Sequence, residues 1–257
     1  AIGIAFWIAV GVFDVSFGGK TEVPSVGILM MQNLGKEDEE FWSSGMTVDL
    51  ITTVKGAGLI RVAPFDDILN LDKKLSIKEK AEKLRVKYIL SHSFKIKEDG
   101  FELWSTLEDI ENGVALFSKK ISEPMNLTTQ LVGKLANDII TSLKVKTKQD
   151  MMIKPTTNVD AYAYYLEGKY KFIKRNNIND VHISRDLLNK AIELDNNLII
   201  AKNYLGWTYL DMKEPEKAKV IIEDALNQAK HSKNKVVYST LLKNMGNYYL
   251  RRKEHLV

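Results

Sequence analysis

Three short stretches in the second half of the chain repeat one another: "YLEGKY" at 165–170, "YLGWTY" at 204–209 and "NMGNYY" at 244–249. Their glycines fall at 168, 206 and 246, spaced by 38 and 40 residues. Self-similarity at such a period is the mark of a solenoid, in which each unit is one supersecondary element too small to bury its own apolar face. The surrounding residues have helical spacing, and after Pro155 no strand signal remains. In the middle unit Leu205, Gly206 and Tyr209 are followed by Ala218 and Ala225. In the first, Gly168 is followed by Ala191. Gly and Ala let two paired helices approach closely, so each unit reads as a helix pair. The first unit carries a longer loop, "RNNINDVHIS". The third has Met245, Gly246 and Tyr249 and then reaches Val257, inside a unit whose next small residue would fall at about 258 by the middle unit's spacing. A repeat helix without its partner leaves an apolar face bare, so the natural protein is expected to continue.

The first half has a different rhythm. "SVGILMM" and "LIRVAP" read as short buried strands. Between them Phe41, Trp42, Met46, Leu50, Ile51 and Val54 sit at helical spacing behind the acidic run Glu37–Glu40, which suits a helix start. Ser76 with Glu79 three residues on is a capping-box pattern. Beyond it the period switches to two. The turn signals "EDG" and "ENG" divide a three-stranded meander at about 86–96, 101–109 and 114–121. Leu127, Leu131, Leu135, Ile139 and Leu143, every fourth residue, return to a helix. The order β-α-β-α-β-β-β-α predicts an α/β domain over 22–146. Helical crossovers make its sheet partly parallel and hairpins make it partly antiparallel. Residues 147–157 read as a linker and 158–257 as the all-α solenoid.

The catalytic inventory is thin. There is no cysteine, which excludes disulfides, thiolate metal sites and a cysteine nucleophile. His92, His182, His231 and His255 are scattered over a strand, a loop, a helix end and the tail, so no metal site is expected. Asp66–Asp67 reads as turn residues. "GGKT" at 18–21 lacks the earlier glycine and the strand-to-helix setting of a phosphate loop. No cofactor and no catalytic residue are assigned. Residues 151–257 hold 18 Lys/Arg against 12 Asp/Glu, an excess that suits either an acidic partner or a solvated, Lys-rich helical surface. No basic block is dense enough for nucleic acid.

The repeat motif resembles the tetratricopeptide repeat, with Asn196 and Lys230 standing where that family usually has proline. The first half resembles the TolB amino-terminal-like domain that precedes tetratricopeptide repeats in bacterial signalling proteins. The resemblance rests on "SVGILMMQNLG", "SSGMTVDLI", "AEKLRVKYILSHSF" and "LEDIENGVALFSK" in that order. Gly45, Thr47, Asp49, Leu50, Ile51, Val86, Tyr88, Leu90, Asp109 and Gly113 match its pattern. Met30–Met31 replace its Pro-Phe, and Arg85 and His92 each stand for a glycine. "KPTTNVDAYAYYLEGKY" resembles its junction into the repeats, so the likeness covers about 25–257.

This resemblance implies a module that is not itself an enzyme. Such modules are joined through a transmembrane helix to an adenylate/guanylate cyclase, a kinase or a winged-helix DNA-binding domain. The uncharged start "AIGIAFWIAVGVF" is too short to span a bilayer, which takes about 20 apolar residues. The resemblance implies the trailing part of a transmembrane helix, with 1–21 as partial helix and linker. A signal-peptide apolar region and a buried core helix are the other readings. A bacterial inner-membrane anchor with a periplasmic soluble part follows from the first, with Lys/Arg just before Ala1.

The first helix of each repeat lines the concave face of a solenoid. Its exposed positions are predicted as Tyr165 and Lys169, Asn203 and Trp207, and Lys243 and Asn247, each pair four residues apart on one helix face. Lys243 with Asn247 suits a carboxylate, and Trp207 an apolar anchor. Solvation of Lys243 and Asn247 and packing of Trp207 on the next repeat are the plainer readings. The expected partners are a protein or peptide in the repeat groove and the membrane at the N-terminus. A homodimer is also open. The expected function is the non-catalytic sensory or docking region of a membrane-anchored signalling protein. A stand-alone envelope scaffold is the alternative.

Overall fold

The computed structural model describes residues 23–147, 155–231 and 235–254. The apolar start and most of the expected linker lie outside them. No helix among the described residues is long and apolar enough to cross a membrane.

The first half forms a mixed sheet. Strands β1 (Ser25–Ile28), β2 (Gln32–Asn33), β3 (Arg61–Val62), β4 (Tyr88–Lys97), β5 (Gly100–Asp109) and β6 (Val114–Glu123) lie in the order β3-β1-β4-β5-β6, with β2 also against β4. β1 is parallel to β3 and β4, while β4, β5 and β6 are antiparallel. The mixed sheet expected from crossovers and hairpins is therefore present. Gly113, at φ 65°, supplies the left-handed residue in the "ENG" turn.

Period-two alternation sets the inner face of the meander. Leu90, His92 and Phe94 of β4 stand opposite Leu107, Ser105 and Leu103 of β5, and all are buried. Phe94 and Phe101 stack at 5.2 Å.

Three helices follow the early strands: α1 (Glu40–Gly56), the short α2 (Phe65–Leu69) and α3 (Ile77–Leu84). The Ser76 hydroxyl accepts from the Glu79 amide while the Glu79 carboxylate accepts from Ser76, so the capping box forms. At β1, Gly27 faces α3: a Cβ there would meet Leu84 at 2.8 Å. After β6 a 3-10 turn, Met125–Gln130, leads into α4 (Leu131–Ser142), whose Leu131, Leu135 and Ile139 are buried.

The second half is all helix: α5 (Val159–Ile173), α6 (Ile178–Leu194), α7 (Ile199–Asp211), α8 (Pro215–His231) and α9 (Lys235–Glu254). The loop before α6 is shorter than the sequence suggests. Asn177 caps α6 by accepting from the Asn179 and Asp180 amides, so the helix takes in most of "RNNINDVHIS" and His182 is helical. Gly168 lets α5 meet α6: a Cβ would lie 2.9 Å from Leu188 and 3.1 Å from the Ser184 carbonyl oxygen.

One apolar cluster runs from Val26 in β1 through Trp42 and Leu50 of α1 to Tyr162, Leu166, Leu188 and Leu205. Helix α1 joins the two halves. Its buried residues include Trp42, Ser43, Gly45, Met46, Thr47, Asp49 and Leu50, which together go round the helix rather than along one stripe. Trp42 meets Phe101 of the sheet at 5.5 Å and Tyr162 of α5 at 5.9 Å. At Gly45 a Cβ would sit 2.7 Å from Leu166, so only glycine admits α5 this closely.

Candidate functional site

Burial of α1 against α5 carries polar groups into the seam. Asp49 projects from α1 toward α5 and is only 7% exposed. Lys169 Nζ donates to Asp49 Oδ1 at 2.6 Å, to the Gly45 carbonyl oxygen at 2.9 Å and to the Tyr165 hydroxyl at 3.1 Å. The Tyr165 hydroxyl donates to Oδ1 at 2.7 Å and the Tyr162 hydroxyl to Oδ2 at 3.2 Å. The Lys169 ammonium also lies 5.3 and 5.5 Å from the rings of Tyr165 and Tyr204. Burial pushes the Lys169 pKa down against the pull of Asp49. Burial and the Asp49 charge push both tyrosine hydroxyls well above their ordinary range. The cluster is closed: a lysine, a carboxylate and two hydroxyls satisfy one another inside the protein.

This corrects the placement of Tyr165 and Lys169. The repeat spacing puts them on an exposed face, yet both are fully buried. Tyr204 of α7 packs beside that face, and α1 lies over it through Gly45 and Asp49. Asn203 is buried too. Its Oδ1 accepts from Asn244 Nδ2 at 2.6 Å, which ties α7 to α9.

Above the cluster the seam opens into a cleft of about 390 Å³. Val48 of α1 with Phe65 and Asp66 of α2 form one wall. Phe172, Ile173 and Arg175 at the end of α5, and Asn203, Tyr204, Trp207 and Asp211 of α7, form the other. Arg175 is held across this second wall. Its Nε lies 2.7 Å from Asp211 Oδ2, Nη1 donates to the Phe172 carbonyl oxygen at 2.6 Å, and the guanidinium carbon stands 4.1 Å from the Phe172 ring centroid. Tyr204 packs edge-on to Phe172 at 6.3 Å. Trp207 is half-buried and has two roles: it packs on the Leu210, Ala218 and Tyr248 cluster, the plainer expectation, and it also lines the cleft.

Of the six expected binding residues, the structure brings Asn203 and Trp207 into the cleft and puts Tyr165 and Lys169 in the cluster below. Lys243, exposed, and Asn247, half-buried, lie on α9 and outside the cleft lining. Val48, Phe65, Asp66, Phe172, Arg175 and Asp211 were not legible as a site, because they come from four separate segments. Asp49 carried one signal, a charge in the middle of an otherwise uncharged helical run from Phe41 to Val54. Among the described residues no group of three or more His, Asp or Glu is placed to hold a metal. The cleft walls offer rings, two carboxylates, an amide and one guanidinium, groups that hold and orient a ligand.

No protein-family model matches the chain, and a search of curated proteins returns no significant match. Solved structures similar to about half of it include TolB from Acinetobacter baumannii, at 15% identity and a TM-score of 0.38, covering 49% of this chain and 29% of that one. A lipoprotein from Neisseria meningitidis is similar at 14% identity and a TM-score of 0.35, over 48% of this chain and 97% of that one. The LpoB C-terminal domain from Salmonella enterica is similar at 16% identity and a TM-score of 0.31, over 42% and 87%. This chain thus spans less than a third of TolB but most of the two smaller chains.

Proposed function

We propose that these residues form the non-catalytic binding region of a membrane-anchored bacterial signalling protein, in which an α/β domain and tetratricopeptide repeats jointly hold a protein or peptide partner. The observation that carries this reading is the cleft at their seam, with walls from both halves. A ligand there touches α1 and α2 on one side and α5 and α7 on the other, so it reads the two halves as one unit. The repeat reading draws support from Gly168 and Gly206, each pressed against the following helix as close helix pairing requires. The signalling context rests on the ordered motifs of the first half. It carries with it a transmembrane anchor at the N-terminus, a periplasmic soluble part and an upstream effector such as a nucleotide cyclase.

A photo-crosslinking residue placed at position 207 of the full-length protein, in its host membrane, tests this. A discrete adduct is expected at 207 and none at Lys95, an exposed residue of the sheet. No adduct at 207, or the same adducts at both positions, overturns the reading. An adduct to envelope-assembly proteins alone replaces the signalling context with the scaffold alternative. Nucleotide turnover by residues 21–257 alone overturns the non-catalytic assignment.

A further inference from the structure

The mixed sheet ends on a long strand with one side bare. β6 pairs with β5, and among the described residues no strand lies against its other edge. That edge carries a row of backbone N–H and C=O groups, the template for one more strand. β6 holds neither proline nor glycine to break it. The side chains show the same unfinished layer. Leu103, Ser105 and Leu107 of β5 are buried, while their β6 partners Ile121, Lys119 and Phe117 are only half-buried. We infer that two copies of this chain pair their β6 strands antiparallel, about a two-fold axis at Ile121, and so join two sheets into one.

Charge and register select this occupant. Residues opposite one another in an antiparallel pair share a face. With the axis at Ile121, that residue meets its own copy, Lys119 meets Glu123 of the second copy, and Lys120 meets its Ser122. Lys119 already pairs with Asp138 of α4 at 2.6 Å, and Glu123 with Lys134 of α4. The two-fold extends these pairs into an alternating row, Asp138, Lys119, Glu123, Lys134, in which no charge meets its like. On the other face Lys120 is held by Glu102 at 2.6 Å, and Lys97 by the same carboxylate at 3.0 Å. Lysines commonly guard a free edge against pairing, but both of these are neutralised within their own chain.

The neighbouring registers fail. An axis at Lys119 or Lys120 sets that lysine against its own copy. An axis at Ser122 pairs only Ile121–Glu123. An axis at Ser118 runs through the bulge at Leu116, where the ladder skips a residue and the strand twists away.

The test is made on the full-length protein in its host membrane. The chain has no cysteine, so Ile121→Cys introduces a lone thiol there. Oxidation with copper phenanthroline is expected to give a disulfide-linked homodimer, and none with Leu116→Cys, a more exposed position at the bulge. A photo-crosslinking residue at exposed Ser122 should give the same homodimer without replacing half-buried Ile121. Ser122→Lys sets a lysine against Lys120 of the second copy and should weaken the dimer by about three- to tenfold, while Ser122→Glu should strengthen it by a similar factor. Within one chain position 122 stands opposite Glu102, so an effect on folding alone would run the other way. The inference is overturned if neither probe yields a homodimer, if position 116 crosslinks as well as 121, if the adduct at 122 is to a different protein, or if the two Ser122 variants act alike or in reverse.

Discussion

Lys169 Nζ and Asp49 Oδ1 lie 2.6 Å apart although 120 residues separate them in sequence, and each is almost wholly buried. This pair and its two tyrosines fasten the α/β half to the helices. Removing one member of a buried pair strands the other charge, which costs about 3–5 kcal/mol. Lys169→Met and Asp49→Asn should each destabilise the protein on that scale. The double variant should fall short of the sum by about 1–3 kcal/mol, because neither charge is then stranded. Denaturant titration of all four proteins measures the cycle, and additive losses would show that the pair does not couple the halves.

How much of this was legible turns on range. The meander was readable because alternation and the "EDG" and "ENG" turns are local, and its strands lie within two residues of their expected limits. The Ser76 capping box is local as well. The seam is not local. Tyr165 and Lys169 have the spacing of an exposed groove, and nothing in 158–257 records that α1 lies over them. The available trace was in α1: Ser43, Ser44, Gly45, Thr47 and Asp49 interrupt the apolar stripe that a helix buried on one face would keep. A helix of this composition is packed on several sides, and its small residues mark where a second helix arrives.

His92 predicts a specific acid sensitivity. Its Nε2 donates to the Leu29 carbonyl oxygen at 2.7 Å, while Nδ1 is buried with no hydrogen-bond partner among the described residues. Burial pushes the imidazole pKa down from 6.5 to about 4. The unfolded chain therefore takes up the proton first. Stability from neutral His92 is complete above about pH 6.5 and is lost as pH falls through about 4. Between pH 7 and pH 4.5 the wild type should lose about 2–3 kcal/mol more than His92→Gln. Equal losses in denaturation at the two pH values would contradict this, since carboxylate titration is common to both proteins.

The repeat glycines should separate into two kinds. At Gly168 a Cβ would press on Leu188 and on the Ser184 backbone oxygen, and backbone yields little. Gly168→Ala should destabilise by about 1–3 kcal/mol through overpacking. At Gly246 a Cβ would meet nothing within 4 Å among the described residues. Gly246→Ala should stabilise α9 by about 0.5–1 kcal/mol through helix propensity. Thermal unfolding gives both signs, and a loss at Gly246 would place another surface against α9.

Arg85 connects the sequence pattern to backbone geometry. It stands where the resembled domain has glycine, and it ends α3 at φ 54° and ψ 45°, in the left-handed region. Side chains with a Cβ are strained there, and helices commonly end on glycine for that reason. The Arg85 side chain is exposed, so little packing is lost on its removal. Arg85→Gly should therefore raise stability by about 0.5–1 kcal/mol, while Arg85→Ala, which keeps the Cβ, should change it by less than about 0.5 kcal/mol. Chemical denaturation of the two variants separates conformation from side-chain loss. If Arg85→Ala matched Arg85→Gly, the gain would come from deleting the guanidinium and not from the turn.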